Sequence, residues 1–109
     1  MPDTYALIAE PSRRRILDRL LQSESSVNDL VKDLGLSQPL ISKHLRTLRE
    51  GGLVEVKVEA QRRIYSLDAG PLADIDEWLS AYRKTWNQHV DALAAHLDQR
   101  KILREGTTK

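Results

Sequence analysis

The stretch SVNDLVKDLGLSQPLISKHLRTLREGG, residues 26–52, decides how this chain folds. Val27, Leu30, Val31 and Leu34 fall at i, i+3, i+4 and i+7, the spacing that lines one face of a helix with apolar groups, and Gly35 ends the run. Gly35-Leu36-Ser37 is a tight turn. Ser37 then caps a second helix, Pro39 sits in its first turn where no amide donor is missed, and Gly51-Gly52 stops it. Residues 26–51 therefore read as helix, short turn, helix.

Working outward, the hydrophobic period changes beyond Gly52 from 3.6 to 2. Val54, Val56 and Val58 alternate with Glu55, Lys57 and Glu59, and Arg63-Ile64-Tyr65-Ser66-Leu67 follows a polar corner. Residues 53–67 are thus expected to form a two-stranded β-hairpin with its tip at Ala60-Gln61-Arg62. A hairpin tip often needs a positive φ, which alanine resists, so the turn type is left open. From Pro71 on, Leu72, Ile75, Leu79, Tyr82, Trp86, Val90, Leu93 and Leu97 step by 3 or 4, which predicts a long amphipathic helix over residues 71–104. The tail Gly106–Lys109 is small and polar and is expected to fray. Upstream, Glu10-Pro11-Ser12 opens a helix running to residue 22, with Ser12 as its cap and Ile16, Leu17, Leu20 and Leu21 at helical spacing. A shorter helix, Thr4 to Ala9, precedes it with Tyr5 and Ile8 on one side. Ser23, Ser25 and Ser26 form a polar break.

At 109 residues the chain suffices for one domain and not two. It has no cysteine, which removes disulfides, thiolate metal sites and a cysteine nucleophile. No apolar run approaches the roughly 18 residues a membrane span needs, and the N-terminus lacks a basic region followed by an apolar one. A cytoplasmic protein without membrane association is expected. The three histidines lie on helices without a nucleophile motif, and there is no glycine-rich phosphate loop, so no enzyme is expected. The net charge of +1 conceals an uneven distribution. Residues 37–67 carry six basic against three acidic groups, whereas residues 68–99 carry two against six. A concentrated basic stretch fits nucleic-acid binding, although a solvated face would look alike.

The element order, helix, helix, helix-turn-helix, hairpin, helix, is that of a winged helix-turn-helix module, mainly α. Three motifs make the likeness specific: Leu7-Ile8-Ala9-Glu10-Pro11-Ser12-Arg13-Arg14-Arg15-Ile16-Leu17; Leu36-Ser37-Gln38-Pro39 through Ser42-Lys43-His44-Leu45 to Leu48-Arg49-Glu50-Gly51-Gly52-Leu53-Val54; and Arg62-Arg63-Ile64-Tyr65-Ser66-Leu67-Asp68. In these the chain closely resembles the ArsR/SmtB family of bacterial transcriptional regulators, over residues 5 to about 97. The resemblance implies a homodimeric repressor that binds double-stranded DNA at an inverted-repeat operator, often its own. It also implies that the first helix, residues 1–9, and the last pack against their symmetry mates. Tyr5, Ile8, Leu79, Tyr82, Trp86, His89, Val90 and Leu93 are the candidate interface residues. Leu72 and Ile75 are expected to join the domain's own core.

On the second helix of the helix-turn-helix, placing Ile41, Leu45 and Leu48 inward sets His44 at the edge of the buried face and turns Pro39, Ser42, Lys43, Arg46 and Thr47 outward. Gln38 and Ser42 are candidates for base hydrogen bonds, Lys43 for guanine or phosphate, Arg46 for phosphate and Leu40 for a thymine methyl, with Ser37 and Pro39 at the same helix start. His44 reads as a packed histidine. Arg62 and Arg63 at the hairpin tip suit a minor groove, with solubilising charge as the rival reading. Arg13, Arg14 and Arg15 leave open a phosphate contact or a solvated face.

Of the family's two metal sites one is lost here and the other keeps half its ligands. In one, the stretch matching Glu-Leu-Cys-Val-Cys-Asp-Leu is Glu24-Ser25-Ser26-Val27-Asn28-Asp29-Leu30, without either thiolate; in the other, Asp76, Trp78, His89 and Ala92 stand at the ligand positions. His89 and His96 lie about 10 Å apart along one helix, too far to share a zinc within one chain, whose ligand atoms lie about 4 Å apart. A site bridging two chains stays open. No metal or other cofactor is expected, and the effector is not legible. The alternative to DNA binding is a winged-helix module that binds protein.

Overall fold

The computed structural model describes the backbone of residues 3–107 and the side chains of residues 3–97. Its elements are α1 (Thr4–Ala9), α2 (Pro11–Gln22), β1 (Ser25–Ser26), α3 (Val27–Leu34), α4 (Gln38–Glu50), β2 (Val54–Glu59), β3 (Arg62–Leu67), a 3-10 turn (Gly70–Leu72) and α5 (Ala73–Thr107). The chain divides into two units, residues 1–75 and 76–109. The first is a winged helix-turn-helix, mainly helical with a small antiparallel sheet.

That sheet has three strands in the order β1-β3-β2, and not the two expected. Ser25 pairs with Tyr65 and Ser26 with Ile64. A two-residue strand of serines has no period to read, and its pairing is decided by the partner strand it meets. Both serines are buried, and the Ser25 hydroxyl donates to Ser23 O at 3.3 Å. Ser26 ends the strand and caps α3 in the same residue. Its hydroxyl accepts from Asp29 N at 3.1 Å while the Asp29 carboxylate accepts from Ser26 N at 3.0 Å, a reciprocal capping box.

The hairpin is tighter than expected. Glu59 faces Arg62 across the ladder, so the turn is the pair Ala60-Gln61 and Arg62 is the first residue of β3. Both turn residues have positive φ, +49° and +71°, the signature of a type I′ turn. Neither is glycine or asparagine, so each is held against a preference worth about 1 kcal/mol. The right-handed twist of the flanking strands favours this turn and offsets that cost.

The helix-turn-helix forms as the spacing predicted. Gly35 closes α3 at φ +68°, and the Ser37 hydroxyl accepts from Leu40 N at 3.3 Å to start α4. Glu10, not Ser12, caps α2, its carboxylate accepting from Arg13 N at 2.9 Å with Pro11 opening the helix. A glutamate side chain reaches the third amide of the helix from outside its first turn, so Pro11 fixes the start one residue earlier.

The core joins Leu7, Ile16, Leu17, Leu20, Leu30, Ile41, Leu45, Leu48, Leu53, Val54 and Tyr65, with Leu72 packed against it. Leu21, counted with the inward row of α2, points outward and is exposed. The end of α4 approaches α1 closely at Gly51, where a Cβ would overlap the buried Leu7 Cδ1 and force that side chain to shift.

The second unit is the remainder of α5. Helix is continuous to Thr107, while residues 108 and 109 of the expected frayed tail lie outside the described residues. Along it Trp78, Tyr82, Trp86, Val90, Leu93 and Leu97 each leave 46–59% of their surface exposed. Trp78 and Tyr82 stack obliquely with ring centroids 5.0 Å apart.

Candidate nucleic-acid interface

The inward row of α4 is as the helical wheel required: Ile41, Leu45 and Leu48 are buried, and Ser37, Gln38, Pro39, Ser42, Lys43 and Arg46 are exposed. Leu40 is half-buried. Thr47 is also half-buried and donates to Lys43 O at 3.1 Å within the helix. Burial of one row forces the other outward, because the two share a rigid backbone.

Arg49 was missed. Ser42, Arg46 and Arg49 stand at i, i+4 and i+7, hence on one face of α4, and the sheet delivers Arg63 and Tyr65 opposite them. Together with Val27 these residues line a cleft of about 430 Å³ between α4 and β3. Three guanidinium-bearing and two hydroxyl-bearing side chains line it, and no carboxylate. The i, i+4, i+7 spacing was the available signal for Arg49; the side of β3 facing it was not readable. Arg46 Nε also lies 3.3 Å from Glu50 Oε1, an exposed pair four residues apart that holds the guanidinium weakly.

A second cleft of about 230 Å³ joins Gln38 to Gln61, Arg62 and Arg63 and to the start of α3. Arg62 does not extend from the tip. Its Nη2 donates to Ser26 Oγ at 3.2 Å and to Asp29 Oδ2 at 3.4 Å. The Asp29 carboxyl is held below the usual carboxylate range, first by its backbone hydrogen bond from Ser26, then by the Ser26 hydroxyl, with Arg62 and Arg19 adding smaller pulls.

Arg13, Arg14 and Arg15 each hydrogen-bond to helix-end carbonyls. Arg13 donates to Leu7 O and Ala6 O at 2.8 and 3.0 Å, and Arg14 to Ile8 O and Ala9 O at 2.6 and 3.1 Å. Those are the last four carbonyls of α1, which a helix leaves without internal partners. Arg15 donates to Leu34 O at 2.8 Å and does the same for α3.

His44 is buried against Glu10, Nε2 to Oε2 3.6 Å, and its Nδ1 is buried without a hydrogen-bond partner. Burial lowers its pKa; Glu10 opposes the shift, and Arg13 and Lys43 reinforce it. A histidine whose native pKa lies below its unfolded value near 6.5 stabilises the fold above that pH, and the contribution is lost as pH falls through the native value. The thermal midpoint is therefore expected to fall between pH 7 and pH 5, and to fall less in His44→Gln. An equal fall in both proteins, followed by circular dichroism, would show that His44 is not a source of it.

A polar, basic helix presented beside a hairpin wing defines the class: a winged helix-turn-helix regulator that binds DNA. The model of the bacterial regulatory protein, arsR family, matches residues 10–56. The chain is 32% identical over 96 residues to the HTH-type transcriptional regulator Rv2034 of Mycobacterium tuberculosis, covering 84% of this chain and 90% of that protein. It is 30% identical to the transcriptional repressor SdpR of Bacillus subtilis, covering 72% and 88%. The crystal structure described as a possible transcriptional regulator for arsenical resistance superposes with a TM-score of 0.67 at 35% identity, covering 75% of this chain and 85% of the other. The chain belongs to the arsR family of DNA-binding transcriptional regulators, which are not enzymes. Among the described residues no helix is long and apolar enough to cross a membrane.

Proposed function

We propose that the chain works as a cytoplasmic, homodimeric repressor that holds an inverted-repeat operator with two copies of α4 and two wings. Gln38 and Ser42 read base edges, Leu40 meets a thymine methyl, Lys43 takes guanine or phosphate, and Ser37 and Pro39 approach the strand at the helix start. Arg46 and Arg63 bring positive charge to the backbone or the adjacent minor groove, whereas Arg62, expected beside them, turns back to Ser26 and Asp29. The carrying observation is the cleft lined by Ser42, Arg46, Arg49 and Arg63, which joins recognition helix and wing in one basic surface. The name of SdpR as a repressor supports the sign of regulation.

The second copy would cover the exposed row of α5, with Leu79, Tyr82, Trp86, His89, Val90 and Leu93 at the seam. Trp78 and Leu97 extend it. From α1, Tyr5 is exposed and its hydroxyl donates to Asp74 O, whereas Ile8 is half-buried on its own core and adds less. The family's two metal sites are incomplete in one chain: Ser26 and Asn28 stand at the thiolate positions with Ser26 spent on capping α3, and at the other site the Asp76 carboxylate is paired with Arg83.

The test is selection of bound genomic fragments, then salt titrations on the selected site and on scrambled DNA. Gln38→Ala and Ser42→Ala should each relax preference at one position per half-site, by about 1–3 kcal/mol. Arg46→Ala should weaken both duplexes alike and flatten the salt dependence. Folded wild-type protein that prefers no duplex would replace this reading with a protein-binding module.

A further inference from the structure

Arg62 and Arg63 are neighbours in sequence and both border the cleft that reaches Gln38, but only Arg63 also lines the cleft with Ser42, Arg46 and Arg49. Arg63 stands opposite Val58 and lines the basic cleft with Ser42, Arg46 and Arg49. Arg62 stands opposite Glu59 and turns back to α3, where Nη2 lies between Ser26 Oγ and Asp29 Oδ2. These are the same two oxygens that close the capping box of α3. The guanidinium thus ties the root of the turn to the first turn of the helix-turn-helix, 33 and 36 residues away in sequence.

We propose that Arg62 is a positioning residue that fixes the wing against the helix-turn-helix, and that Arg63 is the wing arginine that engages DNA. The proposal rests on the DNA-binding reading above and refines it by separating the two arginines. Two features support the division. Arg62 Nη2 is shared between a hydroxyl and a carboxylate, so the guanidinium would have to leave both partners to turn its full donor set toward a phosphate. The β1–β3 pairing at Ser26 and Ile64 brings α3 and β3 together at the same place, so the side-chain link and the backbone ladder act on one joint. The two-residue turn is short, so fixing Arg62 also fixes where Ala60 and Gln61 sit.

The two possible roles predict opposite signs for Asp29. A brace needs the carboxylate, whereas an arginine bound for DNA would be released by its removal. Operator binding is measured against salt for Arg62→Gln, Asp29→Asn, their double variant and Arg63→Gln, with melting curves to establish folding. Arg62→Gln and Asp29→Asn are each expected to weaken binding about two- to five-fold, the scale of an exposed ion pair. The slope of log K on log salt should be unchanged, and the double variant no weaker than either single one. Arg63→Gln should flatten that slope by about 0.9 per wing, one phosphate each. A flattened slope in Arg62→Gln, or tighter binding by Asp29→Asn, overturns the proposal. Amide exchange in the DNA-free protein gives a second reading. Protection of the amides from Val58 to Arg63 should fall in Arg62→Gln, and unchanged protection also overturns the brace. Wild-type protein that binds no duplex, combined with lost wing protection in Arg62→Gln, would overturn the DNA reading and leave the brace standing.

Discussion

Leu79→Asp combined with Trp86→Asp is expected to give a monomer in sedimentation velocity, with operator affinity reduced about 100- to 10,000-fold. Trp86 leaves 59% of its surface exposed and Tyr82 56%, on a helix whose outer row continues through Val90 and Leu93. In a symmetric pair each seam residue meets its own counterpart or a near neighbour, so one substitution introduces two carboxylates. Two substitutions put four charges into a contact that would otherwise be apolar, and unpaired buried charge is strongly destabilising. The DNA effect follows from valence. One half-site held alone loses the effective-concentration advantage that joins the second, which is the source of the range given. The described core lies within residues 7–72, so the far-ultraviolet spectrum of the body should persist. A double variant that remains a dimer and binds the operator normally would remove α5 from the interface.

Leu48→Ala should lower folding stability by about 2–5 kcal/mol in urea denaturation. Leu48 is fully buried, belongs to the core cluster, and its carbonyl accepts from Leu53 N as the chain leaves α4. The removed atoms leave a cavity where α4 packs on the domain, and a domain this size has only about 5–15 kcal/mol in hand. Lys43→Ala is the companion variant. Lys43 sits on the outer face of the same helix, so its loss should leave stability within about 0.5 kcal/mol while weakening DNA binding. If the two variants destabilised equally, the inward and outward rows of α4 would be misassigned.

The uses of arginine show how differently one residue type can be spent. Three consecutive arginines at the start of α2 complete the ends of α1 and α3, replacing absent helical amides with guanidinium donors. Two on the wing divide between a capping box and an open cleft. Those on α4 face outward because three leucine and isoleucine side chains on the other side are buried. Composition alone places all of these in one basic tally.

Much of the architecture was legible before any coordinates. The i, i+3, i+4, i+7 row of Val27 to Leu34, the Gly35 stop and the Ser37 cap each act through contacts within a few residues, so the local sequence contains the whole physical cause. The outward face of α4 followed by rotation from its buried row. The alternation from Val54 to Val58 likewise announced a strand, whose two sides differ as far as Val56 while Val58 is exposed.

What the tertiary structure decided are the contacts between segments far apart in the chain. Ser25-Ser26 became a strand because β3 passed beside it. Arg13 and Arg14 became caps because α1 ended against them, and Arg62 turned inward because the fold brought the start of α3 within 3.4 Å. Arg49 joined the candidate site because β3 placed Arg63 across from it. A side chain's periodicity fixes which way it leaves its own element, but its partner is set by which other element the core packs alongside. Polar groups such as Ser26 and Arg62 carry no periodic signal for that choice, since each can be satisfied equally by water until packing removes the water and supplies the partner.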